Sequence, residues 1–522
     1  MSMKRLSRAA DALAVTPLLN CLLREAAEPI GGPAGDRGGT PTDGYAVHRL
    51  RVSGRLLRVR PGHRPSAPEL WNGRTWRTLR HAGLVDLAVR EMHASTGRSN
   101  PVLAAEMAAS RTAVKAALAA RARAVPPENL WLRSEQSLVM GHPYHPAPKA
   151  RTCDGSPTAW LRYAPEAYAR FPLVLLGVRE DAVVEDGDTR ALDALGEAPP
   201  GYRLLPAHPW QLELSGRTPR IRAAFAEGRL VRLGITSRSA RPTASVRTLH
   251  IPGDGPWDGG DLFLKFSLDV RITNDVRRMR RHELLHVRRT DPLVAAAFAA
   301  MDGPAAWLSD RGHRTVAGLV ETCAVLVRDG LDGHLVPGST AVLAAALAEG
   351  FRGNPLDRIA DPLPWWSAYL RCVVPPVLEA FARFDVVVEC HLQNTLIAVD
   401  AQGTPVQAVF RDAEGAKTIP RMPRAAAWRR LVYCLVVNNL SEIAGALADR
   451  FPESATALWV VARDEFGRGG RQRGLPDIHG LLESPTVPGK ANLLSRWIDA
   501  DGTEPRYVLV PNPLTNRKGS GA

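Results

Sequence analysis

Apolar residues recur at helical spacing through residues 5–27 and again through 80–124, so both Ala-rich stretches predict amphipathic helices. The Gly/Pro/Thr-rich run Gly31 to Gly44 and the segment Pro61 to Pro68 predict the loops between them. From about 130 to 290 the pattern shortens to β-like runs (Pro172 to Val178, Arg229 to Thr236, Leu262 to Leu268) bounded by Pro and Gly. Helical spacing returns through Ala295 to Trp307, Val316 to Asp329, Thr340 to Gly350, Ala368 to Phe384 and Ala425 to Arg450. Two short strands, Val386 to Cys390 and Pro405 to Phe410, interrupt it, and each runs into a polar cluster. The tail Arg517 to Ala522 predicts disorder. The pattern is α+β, and 522 residues suggest roughly three units, divided at about 130 and 290.

Composition narrows the class. With 45% hydrophobic and 23% charged residues the chain reads as a globular protein. The net charge of +14 invites a nucleic-acid reading, but acidic residues are interleaved throughout and no aromatic-lined basic stripe exists. A small polyanionic substrate suits the charge as well, and no nucleic-acid partner is expected. No run approaches about 18 apolar residues, so no membrane span is expected. Scattered cysteines with no close pair fit a reduced, cytoplasmic protein. Only seven of the 67 basic residues are lysines, which directs attention to where an ammonium is kept: Lys149, Lys265 and Lys490 stand beside motifs.

Four clusters carry candidate chemistry. Gly141-His142-Pro143-Tyr144-His145-Pro146-Ala147-Pro148-Lys149-Ala150-Arg151 sets imidazoles and cations on a proline-stiffened loop, suited to phosphate or carboxylate and equally to an ordinary basic loop. His208-Pro209-Trp210-Gln211 repeats the His-Pro pair, and a histidine beside tryptophan reads first as structural. Ser245, Arg247 and Thr248 precede a strand whose period of two sends Leu262, Leu264, Phe266 and Leu268 into a core. Lys265 and Ser267 face the other way, followed by Thr273 and Arg277, either as a triphosphate cradle or as a solvated face. Glu389, His391, Gln393 and Asn394 follow one apolar strand, and Arg411, Asp412, Glu414 and Gly415 follow the next; grouped carboxylates suit Mg²⁺ against nucleotide phosphates. His282-Glu283-Leu284-Leu285-His286 has the zincin H-E-x-x-H spacing but no placed third ligand, and reads as an exposed helix start.

In this order the clusters resemble the IucA/IucC family, the NRPS-independent siderophore synthetases, over about residues 130–515. The matching motifs are G-H-P-x-H-P-x-x-K-x-R, H-P-W-Q, S-x-R-T, K-x-S, I-T-x-x-x-R, E-x-H-x-Q-N and R-D-x-E-G, with looser matches at Lys490 to Arg496 and Asn512-Pro513-Leu514. Ala244 and Asn274 stand where the family often has hydroxyls. The resemblance implies a cupped hand with a helical thumb (1–130), β-rich fingers (131–290) and a mixed palm (291–522). It implies ATP with Mg²⁺, a citrate-like acid, an amine or hydroxyl acceptor, release of AMP and pyrophosphate, and a homodimer among the allowed assemblies. Lys149, Ser245, Arg247, Thr248, Lys265, Thr273, Arg277, Asn394 and Asp412 would then hold ATP. Glu389, Asp412 and Glu414 would hold the metal, Arg277, His391, Gln393 and Lys490 the substrate, with His142, Lys265, Arg277 and His391 catalytic. The rival readings are a small-molecule kinase, whose glycine loop is missing because Gly253-Asp254-Gly255-Pro256-Trp257-Asp258 lacks a third glycine, and a non-catalytic siderophore- or nucleic-acid-binding protein.

Overall fold

The computed structural model describes residues 2–30, 44–151, 158–216, 218–253, 260–500 and 505–515. The expectations for the Gly31 to Asp43 stretch, for Cys153 and for the tail Arg517 to Ala522 lie outside the described residues. Helix Met3–Ala26 starts where Ser2 accepts from the Arg5 amide, and helix Pro101–Arg121 where Asn100 caps Leu103 with proline in the first turn. With helix His81–Thr96 they bury Leu18, Leu22, Leu84, Ala88 and Met107 in one N-terminal core.

That unit is not purely helical. Strands Ala27–Pro29, Ala46–Leu50, Leu56–Arg60, Ser66–Trp71 and Trp76–Thr78 form an antiparallel sheet in sequence order. The strands are short and half-exposed, with arginines between few buried residues such as Leu50, Leu57, Val59 and Leu70, so no sustained alternation marks them.

The fingers are an eight-stranded antiparallel sheet. Its order is Val183–Gly187, Asp310–Val316, Val325–Asp329, Leu262–Phe266, Thr248–Ile251, Leu230–Pro242, Phe171–Arg179 and Tyr202–Ala207. It therefore takes two strands from beyond residue 290, and the helix expected over Val316 to Asp329 is a correction: one turn, Val320–Cys323, separates two strands. Every residue of Val325–Asp329 is buried, so the sequence there has no alternation to read. Thr340 to Gly350 likewise divides into strand Thr340–Leu343 and helix Ala344–Glu349. The expected facing of Leu262–Phe266 holds: Leu262, Leu264 and Phe266 enter one core, while Phe263 meets Trp131 on the other side.

The palm packs helix Pro362–Phe384 against a four-stranded sheet ordered Ala306–Leu308, Pro405–Arg411, Thr395–Val399, Thr340–Leu343. A continuous rod runs from Arg424 to Ala448, with a π-helical stretch Tyr433–Leu440 between two α-helical ends. By length and composition this rod and Met3–Ala26 both reach what a bilayer crossing requires, and 78% of the rod's most apolar window is buried inside the protein. The helix Arg281–Ala299 begins at the H-E-x-x-H run, as expected: Glu283 accepts from the Arg280 amide, His282 is exposed and His286 meets the Ala416 carbonyl.

The π-helical widening has a local consequence. Asn439 Nδ2 donates to the Cys390 carbonyl at 2.8 Å while its Oδ1 accepts from Tyr369 at 2.6 Å, and the Asn438 carbonyl accepts from the Leu392 amide. The strand expected over Val386 to Cys390 shortens to Val386–Val387, and residues 390–394 become a turn pinned to this rod. Replacing Asn439 with Ala strands the buried Tyr369 hydroxyl and leaves the Cys390 carbonyl to Thr395 Oγ1 alone; it should cost about 2 kcal/mol, read in a urea unfolding titration. An unchanged midpoint would show that the turn does not rest on Asn439.

Candidate active site

Three His-Pro pairs use one local device. In each, the amide two residues after the histidine donates to its Nδ1: Tyr144 to His142 at 3.0 Å, Ala147 to His145 at 3.1 Å and Trp210 to His208 at 3.1 Å. Proline fixes the intervening φ and has no amide to compete, so the chain turns back on the ring. An Nδ1 that accepts must be unprotonated, which leaves Nε2–H as the donor. His145 spends it on Asn274 Oδ1 at 3.1 Å. Among the described residues His208 Nε2 is buried without a partner, amid Tyr163, Phe171 and Phe266, so His208 is structural. His142 is half-buried.

The fingers and palm meet over Lys265, only 4% exposed. Its ammonium donates to Asp412 at 2.6 Å and Glu414 at 2.8 Å, which excludes the solvated-face alternative. Arg247 donates to Glu414 at 3.0 Å and to the Arg277 carbonyl at 3.1 Å, drawing the 242–248 loop into the same cluster. That loop closes on itself through the Thr248 amide to Ser245 Oγ, with Val246 at φ 68°. Arg277 is held by Thr273 Oγ1 at 2.7 Å and by the Ile272 carbonyl.

Asp412 sits at φ 84°, a conformation a non-glycine residue adopts only under tertiary constraint. The constraint is visible. Arg328 reaches Asp412 at 2.9 Å while gripping Asp310 at 2.6 and 3.1 Å, and Asp310 also accepts from the Ala413 amide. Burial alone would raise the Asp412 and Glu414 carboxyls, but Lys265, with Arg328 at one and Arg247 at the other, holds both well below the usual carboxylate range.

Glu389 and His391 lie on the palm turn. Burial pushes up the Glu389 carboxyl, and Arg430 at 2.6 Å together with His391 and Lys490 more than offsets it. Gly415 passes so close that a Cβ there would collide with the Glu389 carboxylate. Burial lowers His391, opposed by Glu389, whose carboxylate lies 3.8 Å away, and His391 also feels Asp412 and Lys490. His142 is pushed down to about 3, by burial first and then by His391 and Lys490. These couplings draw His142, His391, Glu389, Lys490 and the Asp412 cluster into one site.

Several expected ligands are placed differently. Lys149 is enclosed by Glu166 and the Leu138 carbonyl, with Arg151 on the same carboxylate: a buried ion pair bracing the loop. Thr273 supports Arg277, and Thr248 is buried in the strand opposite Lys265. The metal trio needs correcting, because among the described residues no three His, Cys, Asp or Glu side chains gather to hold an ion: Asp412 and Glu414 share Lys265, and Glu389 is turned to Arg430. Asn394 has a buried Nδ2 without a partner among the described residues, and the Gln393 carbonyl holds Arg411, which pairs with Glu135 at 2.6 Å. Arg328, Asp310, Arg430 and Lys417, which donates to the Glu414 carbonyl, were missed. Arg328 lies within the fully buried strand Val325–Asp329, and a lone cation in such a run is the signal that could have found it.

The buried imidazoles give the fold an acid limit. Unfolded histidines take up protons near 6.5, whereas burial lowers folded His208 to about 3. The unfolded chain therefore binds more protons between those values, and stability falls as pH drops through that window. His208→Asn keeps an acceptor for the Trp210 amide and removes the titration, so about 2 kcal/mol of the wild-type loss between about pH 7.5 and about pH 5 should disappear in urea unfolding. Parallel losses in both proteins would contradict this.

Comparison with known proteins bears on the whole arrangement. Residues 130–349 match the IucA / IucC family, and residues 363–504 match the family described as ferric iron reductase FhuF-like transporter. The chain is 28% identical over 452 residues to the L-2,3-diaminopropanoate–citrate ligase of Staphylococcus aureus, covering 75% of this chain and 76% of that protein. It is also 28% identical over 484 residues to the rhizobactin siderophore biosynthesis protein RhbC of Rhizobium meliloti, covering 78% and 80%. The fold matches that of ATP-bound aerobactin synthetase IucA from Klebsiella pneumoniae with a TM-score of 0.78 at 20% identity, over 97% of this chain and 100% of that one. The cupped-hand fold of the siderophore synthetases is thus shared along the chain, and the match to the IucA / IucC family lies in residues 130–349.

Proposed function

We propose that the chain is an ATP-dependent ligase of siderophore biosynthesis that adenylates a carboxylate, of citrate or a related polycarboxylic acid, and joins it to an amine. The observation that carries this reading is the buried Lys265 ammonium shared by Asp412 and Glu414, with Arg247 and Arg277 beside it and His391 within electrostatic reach. Citrate and the amine are taken from the Staphylococcus aureus relative's name.

Chemistry follows from charge. The acid's carboxylate oxygen attacks the α-phosphorus of ATP, the bond to pyrophosphate breaks, and negative charge grows on the phosphoryl oxygens. Lys265, Arg247 and Arg277 offset that charge from fixed positions, where no solvent reorganisation is needed. His142, neutral near pH 7 and presenting Nε2–H, offers a donor that carries no charge of its own. His391 and Gln393 orient the acid. The amine nitrogen then attacks the acyl carbon, the bond to AMP breaks, and the proton shed by the amine passes to neutral His391 or to AMP. Holding both partners makes that attack effectively unimolecular.

Asp412 and Glu414 offer oxygen donors only, which fits Mg²⁺, an ion commonly held by one or two carboxylates plus substrate phosphates. Mg²⁺ there would supply further neutralisation of the phosphates. A kinase would give ADP instead of AMP and pyrophosphate, so the products decide.

A pyrophosphate-release screen over citrate, α-ketoglutarate and succinylated amines should find an active acid. Lys265→Ala and His391→Ala should each lower the rate at least about 100-fold, with circular dichroism checking the fold. Equal rates in all three proteins would remove the assigned site. EDTA should stop the reaction and added Mg²⁺ restore it; a rate indifferent to both would exclude the metal.

A further inference from the structure

The N-terminal unit holds a cavity of about 360 Å³, bounded by helix Met3–Ala26, the start of strand Ser66–Trp71, the start of helix His81–Thr96 and helix Pro101–Arg121. That volume is near the small end for ligand pockets, about 300–1,000 Å³. The wall is chemically divided. Ala12, Val15 and Leu79 supply an apolar side, and Arg8, Arg80 and Arg111 bring three guanidinium groups. Asp11, the carboxylate among the described lining residues, is already engaged: Arg111 Nε donates to it at 2.8 Å and the His81 amide at 3.4 Å, while Arg111 Nη2 donates to Ser7 Oγ at 3.0 Å. Arg8 and Arg80 are exposed, and among the described residues no carboxylate or carbonyl is paired with either side chain.

Two positive charges therefore line a partly apolar hollow without a counter-charge. A guanidinium offers an oxyanion a planar fork of donors, and Arg111 is fixed in place by its own partners. The wall is also strained. Strand Leu56–Arg60 pairs Arg58 with Glu69 and Arg60 with Ser66, so Ala67 and Pro68 stand opposite Val59 alone. In this bulge Ala67, which lines the cavity, has φ 49°, a left-handed value that alanine resists and a following proline disfavours further. Such strain persists only where the surroundings impose it, and it gathers at ligand sites.

We infer that this cavity binds a small dianion with a short apolar stem, a dicarboxylate or a phosphate monoester, at a place separate from the fingers–palm site. The stem meets Ala12, Val15 and Leu79, and the oxyanion groups meet Arg8, Arg80 and the free edge of Arg111. Separation follows from the helix. Asp11 precedes Asn20 by nine residues, about 14 Å along the axis, and it is Asn20 that donates to the Pro143 carbonyl of the His-Pro loop at 2.9 Å. An occupant ties the first half of that helix to the N-terminal sheet and to the two following helices, so its effect is read as stability of the unit. The inference stands whether or not the chain is a ligase.

The test is calorimetric binding to the full chain in physiological salt, where loose attraction to surface charge is screened. Succinate or n-propyl phosphate should bind saturably and raise the unfolding temperature, and which of the two binds tells a carboxylate ligand from a phosphoester. Butyrate, with one charge fewer, and inorganic phosphate, with no stem, should bind at least about tenfold more weakly. Joint replacement Arg8→Gln and Arg80→Gln should weaken the dianion by about tenfold or more, and so should Ala12→Leu, which fills the hollow and keeps every charge. Circular dichroism and unfolding without added anion check that these exposed-site variants fold. Binding of neither dianion, equal binding of butyrate, or binding that survives both the arginine pair and Ala12→Leu overturns the inference. Binding weakened by His391→Ala and untouched by the arginine pair assigns the anion to the fingers–palm site and overturns it as well.

Discussion

One buried ammonium joins the fingers to the palm. Lys265 leaves water and finds two carboxylates from a different sheet, and neither side would tolerate burial alone. Burying an ion pair costs desolvation that the Coulombic attraction offsets only when further hydrogen bonds complete it. Here Arg247 completes Glu414 and Arg328 completes Asp412, while Asp310 ties Arg328 to the Ala413 amide. The unusual φ of Asp412 follows from that chain of contacts, which hold the residue to a geometry its own backbone resists.

The palm turn depends on a second constraint. The π-helical stretch turns Asn438 and Asn439 toward residues 390–395, so backbone groups that a strand would have paired are paired to a helix instead. This sets Glu389 against Arg430 with His391 3.8 Å from its carboxylate, without sheet alternation. The His-Pro loop is braced from elsewhere: Asn20 donates to the Pro143 carbonyl, Asn492 to the Tyr144 carbonyl, and Lys149 with Arg151 grips Glu166 beneath it. His142 is therefore positioned by the N-terminal helix, the closing segment and the fingers at once.

What the sequence disclosed divides along these lines. Motifs were legible, since Lys265, Asp412, Glu414, Arg247 and Arg277 do converge, and the His-Pro spacing carries its own turn. Long helices were legible by period. Buried strands were not, because Val325–Asp329 has apolar residues on both faces, and the N-terminal sheet was hidden by strands too short to show alternation. Lys149 misled for a related reason: a conspicuous lysine on a basic loop serves as readily to brace the loop as to bind a ligand, and only the position of Glu166, seventeen residues on, decides which.

The scarcity of lysine now has a sharper meaning. Lys265, Lys417 and Lys490 lie at the site and Lys149 braces the His-Pro loop, whereas the fixed pair inside the fingers sheet, Arg314 with Glu185 and Asp193, is written with arginine. A guanidinium holds a fixed carboxylate through several parallel bonds, which suits a permanent contact. An ammonium is a compact charge with rotatable donors, so Lys265 can exchange a carboxylate oxygen for a phosphate oxygen without rebuilding its surroundings. On the proposed reading Lys265 is a charge that changes partners during turnover, whereas the Arg314 guanidinium, locked into the sheet by Glu185 and Asp193, keeps its own.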